Sequence, residues 1–515
     1  MSTDPPPGSS SPWRKAALLI YPFLLACYPV IALRAHNIVY VDLPSILRSL
    51  ILVTAGTAVV YVITQLLVRN LVNSSIITSL IVILFLSYGH LYIRLEEILG
   101  SPVRHRYLVA GSLLVLLVGI ILVLKKEGLA RALAQFLAAT SVILLAMVLY
   151  QAVSYDIGVY RLAAASAQGD APGPPAQVNE DLPDFYLIIL DAHTRSDVLQ
   201  ERFGYDNTDF IQQLNEMGFY VPSCSQSNYP STKFSLTSTF FGDYIQNIAA
   251  AGGILPPLKS SAINQTLKSL GYKTIAFENR ASGHFDLKED VLLSRNQMAF
   301  GKFDLIGGLS EFESMMIDTS FLHFVVDAEL IPGFNKTRTQ EWELWEHYYQ
   351  TNYILSELEN VPEIPGPKFV FVHIMVPHSP FVFAPDGSYQ LNNSPIDGYR
   401  ANTEFIDNHL PPVLKAIIEK SNPTPIIIVM GDHGPSTRKS ITKEMRMATL
   451  NAYLVNEAAK AQMYPTITPI NATRIILNAH YAGDYAPLED VSYYAYNGSQ
   501  LPEAAVISGD CPPAP

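Results

Sequence analysis

The sequence predicts two bodies in one chain: an α-helical membrane domain of five spans, followed by an α/β domain built on a doubly wound, mostly parallel sheet. Three observations carry this expectation. Charge-free apolar stretches crowd the first 160 residues, short wholly apolar runs recur after residue 184 with helical stretches between them, and two of those runs end directly in Asp or in Asp-His.

The membrane part follows from length and composition. The chain has 515 residues, 49 % of them hydrophobic, which is too long for one ordinary domain and too apolar for a wholly soluble one. Stretches at 16–33, 49–68, 70–93, 107–124 and 132–155 each approach the ~20 residues that a helix needs to cross the hydrocarbon core. A cleaved leader is the alternative for the first of them, since Arg14 and Lys15 precede it, but no small-x-small cleavage site closes it before Arg34. Pro22 and Pro29 predict a kink there. The Lys/Arg count of the short loops, six against five, favours an inside amino terminus, which after five spans puts the rest of the chain outside the cytoplasm. The expected setting is a multi-pass inner membrane protein with its catalytic domain on the periplasmic or extracellular side. His90, Arg94, Glu96 and Glu97 close the third span and are read as snorkelling into the interface, with contact to a lipid head group as the alternative.

The expected division is residues 1–160 for the membrane domain, 161–183 for a Pro/Ala/Gly-rich linker and 184–515 for the catalytic domain. Of 34 Lys/Arg and 46 Asp/Glu, residues 1–160 hold 11 and 6, so the remainder is net −17, which excludes a surface built to track nucleic acid phosphates. Among three cysteines, Cys224 and Cys511 are candidates for a disulfide and Cys27 lies in the first span. Sequons stand at Asn264, Asn335, Asn392, Asn471 and Asn497 and matter only in a host that glycosylates.

Phe185–Leu190 (FYLIIL) runs into Asp191, and Pro425–Met430 (PIIIVM) runs into Gly431-Asp432-His433-Gly434. Continuous apolar runs of this length read as strands buried on both faces, and ligands of open α/β sheets gather at the strands' carboxyl ends. Two carboxylates and an imidazole meeting at one rim make a site for one divalent cation: zinc, manganese, calcium or magnesium. The two glycines let the backbone bend both side chains toward one point. Further strands are expected at Thr274–Phe277, Phe369–Ile374 and Asn451–Val455, and helices at Thr208–Met217, Ser260–Leu270, Thr339–Glu359 and Asp407–Lys420.

Ser223–Thr239 (SCSQSNYPSTKFSLTST) is a hydroxyl-rich run that turns at Pro230 and continues as a helix through Lys233–Phe240. A hydroxyl at such a helix start lies among unpaired N–H groups that also receive phosphate or sulfate oxygens, and coordination to a metal makes it a nucleophile; a plain N-cap is the alternative. His373 and His378 fall at the end of the strand in KFVFVHIMVPHSPFVF, placed to bind substrate oxygens or to protonate a leaving group, although a core histidine bonded to backbone is the default for His373.

Asp191 after a strand, the hydroxyl segment with its Ser-Leu-Thr-Ser tail, Leu270-Gly271-Tyr272, His373-x-Met375-x-x-His378-x-Pro380 and Gly431-Asp432-His433-Gly434 stand in the order used by the alkaline phosphatase superfamily. The chain resembles its membrane-anchored sulfatase-like branch, which holds phosphoethanolamine transferases and lipoteichoic acid synthases with a five-helix front end. The resemblance implies that Asp191, Asp432 and His433 ligate a metal, that Thr232 is the metal-bound nucleophile with Ser231 in reserve, and that His378 contacts the substrate or leaving group. Two departures stand out. The sulfatase pattern Cys/Ser-x-Pro-Ser-Arg puts Asn228 in the nucleophile slot, whereas the transferase pattern matches Thr232, Ser235 and Leu236 directly. The transferases use Glu where this chain has Asp191, with His193 and Arg195 close behind; Arg195 is expected to pair with Asp197 rather than with substrate.

The expected activity is metal-dependent transfer of a phosphoryl-linked head group, such as phosphoethanolamine or phosphoglycerol, from a membrane lipid to an envelope glycan or similar acceptor through a covalent Thr232 ester. The alternatives are a membrane-tethered sulfate or phosphate ester hydrolase and a catalytically inactive module that binds an envelope polymer.

Overall fold

The computed structural model describes residues 12–38, 41, 43–99, 103–166, 182–249, 255–278, 287–295, 310–330, 336–436 and 441–494. The chain divides into two compact units, residues 1–156 with 298–340, and residues 157–297 with 341–515.

The first unit holds the helices α1 (Pro12–His36), α2 (Leu43–Val68), α3 (Leu71–Leu99), α4 (His105–Lys125) and the start of α5 (Glu127–Ser166). All five are long and apolar enough to cross a membrane. Pro22 and Pro29 lie inside α1. The outer surfaces are apolar, with Leu67, Leu114, Phe136 and Met147 exposed, as suits a lipid solvent. The inner contacts are small and hydroxylic: Thr64 Oγ1 lies 2.8 Å from Thr78 Oγ1, and Ser74 donates to the Thr64 carbonyl at 3.3 Å. At the end of α3, Arg94 pairs with Glu97 at 2.6 Å with both side chains mostly in solvent.

Residues 310–330 lie within the span expected for the catalytic domain, yet they group with these helices. The helix Glu311–Thr319 opens on a capping box between Ser310 and Glu313, and Glu313 also pairs with Arg48 of α2. Phe312 packs with Val30 and Ile46, and Met316 with Val82 and Leu86. The backbone N–H of Phe321 donates to the Phe85 carbonyl of α3 at 2.7 Å. A Cβ on Gly89 would sit 2.0 Å from the Asp318 carbonyl oxygen, so the close approach needs glycine there. Helix α5 runs on to Ser166, and residues 167–181 of the expected linker lie outside the described residues.

The second unit is built on one six-stranded sheet, ordered β3-β2-β4-β1-β5-β6. Its strands are β1 (Phe185–Leu190), β2 (Lys273–Phe277), β3 (Val291–Leu293), β4 (Lys368–Ile374), β5 (Ile426–Met430) and β6 (Asn451–Leu454). All neighbours are parallel except β5 and β6. β1 is buried along its whole length: Tyr186, Ile188 and Leu190 enter one core, and Phe185, Leu187 and Ile189 the other. At about 1.5–3 kcal/mol for each large side chain removed from water, that two-sided burial fixes β1 at the centre. Pro395–Lys420 begins twelve residues before the expected Asp407, capped by Ser394, and continues through Pro411 and Pro412. Cys224 is disulfide-bonded and Cys27 is free, while Cys511 lies outside the described residues.

Candidate metal centre and active site

Three adjacent strands deliver the site. β1 lies between β4 and β5, so the residues that leave the carboxyl ends of all three are neighbours. Asp191 follows β1, His373 lies on β4 beside Ile189 of β1, and Asp432 and His433 follow β5 after Gly431. One oxygen or nitrogen each from Asp191, His373 and Asp432 lie within 4.8 Å of one another, and all three residues are buried. His433 Nε2 is 3.4 Å from Asp432 Oδ2 and 3.9 Å from Asp191 Oδ1.

Glycine is required on both sides of Asp432-His433 by contact. A Cβ on Gly431 would fall 2.1 Å from the His193 carbonyl oxygen, and one on Gly434 2.3 Å from that of Met445. The turn after β1 is held in a matching way, since Ala192 takes the left-handed conformation with φ 67° and its carbonyl accepts the Tyr399 hydroxyl at 2.7 Å.

Each ligand candidate has one side fixed and one side open. Asp432 Oδ1 accepts the backbone N–H groups of Ala192 and His433, both at 3.0 Å. Asp191 Oδ2 lies 3.1 Å from His373 Nε2. The remaining oxygens, Asp432 Oδ2 and Asp191 Oδ1, are buried and find no hydrogen-bond partner among the described residues. Burial alone pushes the Asp191 carboxyl up, but the His373 hydrogen bond and the charges of His378, His373 and His433 outweigh it and hold it well below the usual carboxylate range. His433 Nδ1 lies 3.0 Å from the Gly434 carbonyl, which it can approach only as a donor, so the neutral ring keeps its lone pair on Nε2. Burial pulls His433 down from its ordinary value and keeps it neutral. Two orphaned carboxylate oxygens and one imidazole lone pair are the donor set of a divalent cation, and the residues fit one.

The hydroxyl run supplies the fourth group. The helix Thr232–Phe241 starts at Thr232, whose Oγ1 lies 3.3 Å from His433 Nε2. Ser231 occupies the N-cap without a side-chain capping bond. Asn228 is turned away into structural work: its Nδ2 donates to the Val491 carbonyl at 2.9 Å and its Oδ1 accepts the Ile470 N–H at 3.3 Å. The backbone N–H of His378 donates to the Asp191 carbonyl at 3.0 Å, and its ring Nδ1 donates to the Ser379 carbonyl at 2.7 Å. Of the two residues close behind Asp191, His193 is buried against Asp407 at 2.8 Å, and Arg195 pairs with Asp197 at 2.7 Å.

Three nearby residues carried no signal in the sequence. Arg446 donates to the Pro230 carbonyl at 2.7 Å and to the Gly434 carbonyl at 2.6 Å, clamping the hydroxyl loop to the Asp-His turn. His347, from the helix Lys336–Leu358, buries an Nε2 that finds no partner among the described residues; burial, then the charge of His378, pulls its pKa down to about 4 against the opposing pull of Asp191. Burial likewise brings the Lys233 ammonium, next to Thr232, down to about 8.

Residues 183–472 match the Sulfatase family profile, which is more than half of the chain. The chain belongs to the sulfatase family and is an enzyme of the sulfatase type, with five membrane-capable helices before the matched region. No curated protein sequence matches it. Among solved structures, it is similar to the zinc complex of the C-terminal periplasmic domain of EptC from Escherichia coli, at 13 % identity over 65 % of this chain and 96 % of that one, with TM-score 0.43. It is also similar to the integral membrane lipooligosaccharide phosphoethanolamine transferase EptA from Neisseria meningitidis, at 12 % identity over 90 % and 94 %, TM-score 0.37. The periplasmic domain of phosphoethanolamine transferase EptC from Campylobacter jejuni is 12 % identical over 58 % and 91 %, TM-score 0.37.

Proposed function

We propose that the protein transfers a phosphoryl-linked head group from a membrane lipid to an envelope acceptor through a covalent ester on Thr232. The observation that carries this reading is Thr232 Oγ1, 3.3 Å from His433 Nε2 and at the first residue of a helix whose N-cap, Ser231, makes no side-chain capping bond. Asp191, Asp432 and His433 would hold the divalent cation, with Thr232 beside it. When bound, that cation supplies a lowered hydroxyl pKa and neutralisation of charge on the transferred group.

The chain's own residues do the rest. Thr232 Oγ1, its proton released to solvent, forms the bond to phosphorus while the bond from phosphorus to the lipid alkoxide breaks, and His378, doubly protonated with Nδ1–H on the Ser379 carbonyl, gives that alkoxide the proton of Nε2. The acceptor hydroxyl then attacks the phosphorus and gives its proton to His378 Nε2, the bond to Thr232 breaks, and the Thr232 oxygen takes back a proton from solvent. His373, whose Nε2 is given to Asp191, positions that carboxylate, and His378 remains the contact to substrate. The five helices tether the domain to the membrane, with the loop charges favouring the periplasmic or extracellular side, and that tether raises the local concentration of lipid donors.

The sulfatase match favours a second reading, hydrolysis of a sulfate or phosphate ester with water as the acceptor. One experiment separates the two. Full-length protein is incubated with membrane lipid extract and its intact mass is measured. A head-group adduct that persists until an acceptor is added, is absent in Thr232→Ala and is retained in Ser231→Ala supports transfer. Turnover of the ester without any acceptor supports hydrolysis, and an unchanged adduct in Thr232→Ala removes Thr232 as the nucleophile.

A further inference from the structure

We propose that His105, His323 and Asp327 form a second divalent-cation site, of the zinc type, within the unit that carries the membrane helices. The two imidazoles reach one carboxylate oxygen from segments far apart in sequence: His105 Nε2 lies 3.1 Å and His323 Nε2 3.3 Å from Asp327 Oδ2. All three ligand atoms lie within 4.8 Å of one another. Bonds of about 2.0–2.1 Å to a tetrahedral ion place its ligand atoms about 3.3 Å apart, so two edges of the tetrahedron already have the right length.

The far side of each ring is engaged in the manner of a metal-bound histidine, whose second nitrogen is held by a polar partner that fixes ring and tautomer. His323 Nδ1 lies 3.0 Å from the Asp318 carbonyl oxygen and can only donate to it. The neutral ring then presents the lone pair of Nε2 to Asp327, and two electron-rich atoms 3.3 Å apart are stable only with a positive charge between them or a second proton on the ring. His105 Nδ1 lies 3.0 Å from the Tyr88 hydroxyl. Its ring is stacked on Tyr92 at 4.2 Å and 8°, and the Tyr92 hydroxyl donates to the Val103 carbonyl at 2.9 Å just ahead of α4. His105 is therefore oriented by its surroundings.

Two nitrogens and one oxygen select borderline cations, zinc before magnesium or calcium. The side chains keep 17 %, 11 % and 23 % of their surface, which leaves an entry path and space for a water as fourth ligand. The ion ties the helix Leu322–Asp327 to the start of α4, where a surface pair alone contributes little. The bland rival is a His-Asp-His hydrogen-bond relay, which needs that second proton on His323 and takes up no metal.

The test uses full-length protein in detergent carrying Asp191→Ala and Asp432→Ala, so that the catalytic centre is emptied and the outcome is independent of its role. Cobalt(II) is added as an optical probe and zinc as its competitor. One cobalt per chain is expected, with the strong visible bands of a four-coordinate ion, displaced by zinc. His323→Gln and His105→Gln each weaken binding at least tenfold, and zinc raises the thermal midpoint of the parent but not of either variant. Asp327→Asn, which keeps the shape of the side chain, loses the cobalt bands in a chain that still melts cooperatively, which separates lost ligation from lost folding. No cobalt or zinc uptake by the parent at tens of micromolar, or binding in His323→Gln equal to the parent's, overturns the proposal.

Discussion

The backbone N–H of Ala192 donates to Asp432 Oδ1 at 3.0 Å, joining the turn after β1 to the turn after β5 across 240 residues of sequence. Ala192 holds that N–H in place with φ at 67°, a conformation that costs a non-glycine residue about 1–2 kcal/mol. Glycine should therefore be tolerated at this position and a β-branched residue should not. Ala192→Val is expected to destabilise the catalytic unit by about 1–2 kcal/mol and, by loosening Asp432, to weaken metal binding by roughly 10–100-fold. Ala192→Gly keeps both within error. Denaturant titration and a zinc competition assay on the same preparations check the two effects together.

Gly431 makes a sharper prediction because what its Cβ would meet is backbone. Gly431→Ala must push aside the His193 carbonyl, 2.1 Å away, and with it the turn that carries Asp432. The expected loss is about 1–3 kcal/mol of stability together with most of the bound metal. Gly128→Ala in α5, where a Cβ meets nothing within 4 Å, is the matched control and should be neutral or slightly stabilising. Retained metal content in Gly431→Ala would contradict the geometry described for the Asp-His turn.

The proposed chemistry gives Thr232 the attack and His378 the proton. Thr232→Ser keeps a hydroxyl and should retain measurable turnover, whereas Thr232→Ala should lose roughly 10³-fold or more with metal still bound. His378→Gln should lower kcat by about 10²–10⁴-fold, and by less for an activated ester whose leaving group needs no proton. Rates on a poor and a good leaving group, compared across these variants, test both assignments. An equal loss on both esters in His378→Gln would make His378 a binding residue only.

Much of the centre was legible because its chemistry sits where strands stop. β1 and β5 are apolar on both faces, so their ends were visible, and Asp191 and Asp432-His433 follow immediately. Thr232 was visible as one hydroxyl among many, and only the resemblance ranked it first. What could not be read depends on tertiary contact. His347 lies on a helix whose pattern is that of any amphipathic helix, and Arg446 acts through carbonyls that have no sequence signature. The expected helix Asp407–Lys420 already runs through Pro411 and Pro412; what it lacks are the first turns from Pro395, which Ser394 caps. Residues 310–330 lack a spanning apolar run; they join the membrane helices through Glu313 with Arg48 and through Gly89, contacts between distant residues that no local pattern announces.

The pH dependence of folding supplies a prediction remote from the catalytic chemistry. His480 Nε2 accepts the backbone N–H of Asn456 at 3.2 Å, a role that protonation destroys, and burial pulls the ring's pKa down to about 4. In the unfolded chain a histidine titrates near ~6.5. As the pH falls below that value the unfolded chain takes up the proton first, so the folded state loses stability progressively from about pH 6.5 down to about 4 and is unaffected above 6.5. His480→Gln keeps an acceptor for Asn456 and cannot titrate, so it should flatten this acid arm while leaving the thermal midpoint at pH 8 nearly unchanged. Thermal midpoints of the full-length chain and the variant, measured from pH 8 to pH 4, provide the comparison. Curves that stay parallel throughout would mean that His480 accepts its proton equally well folded and unfolded, and that its bond to Asn456 is not what acid breaks.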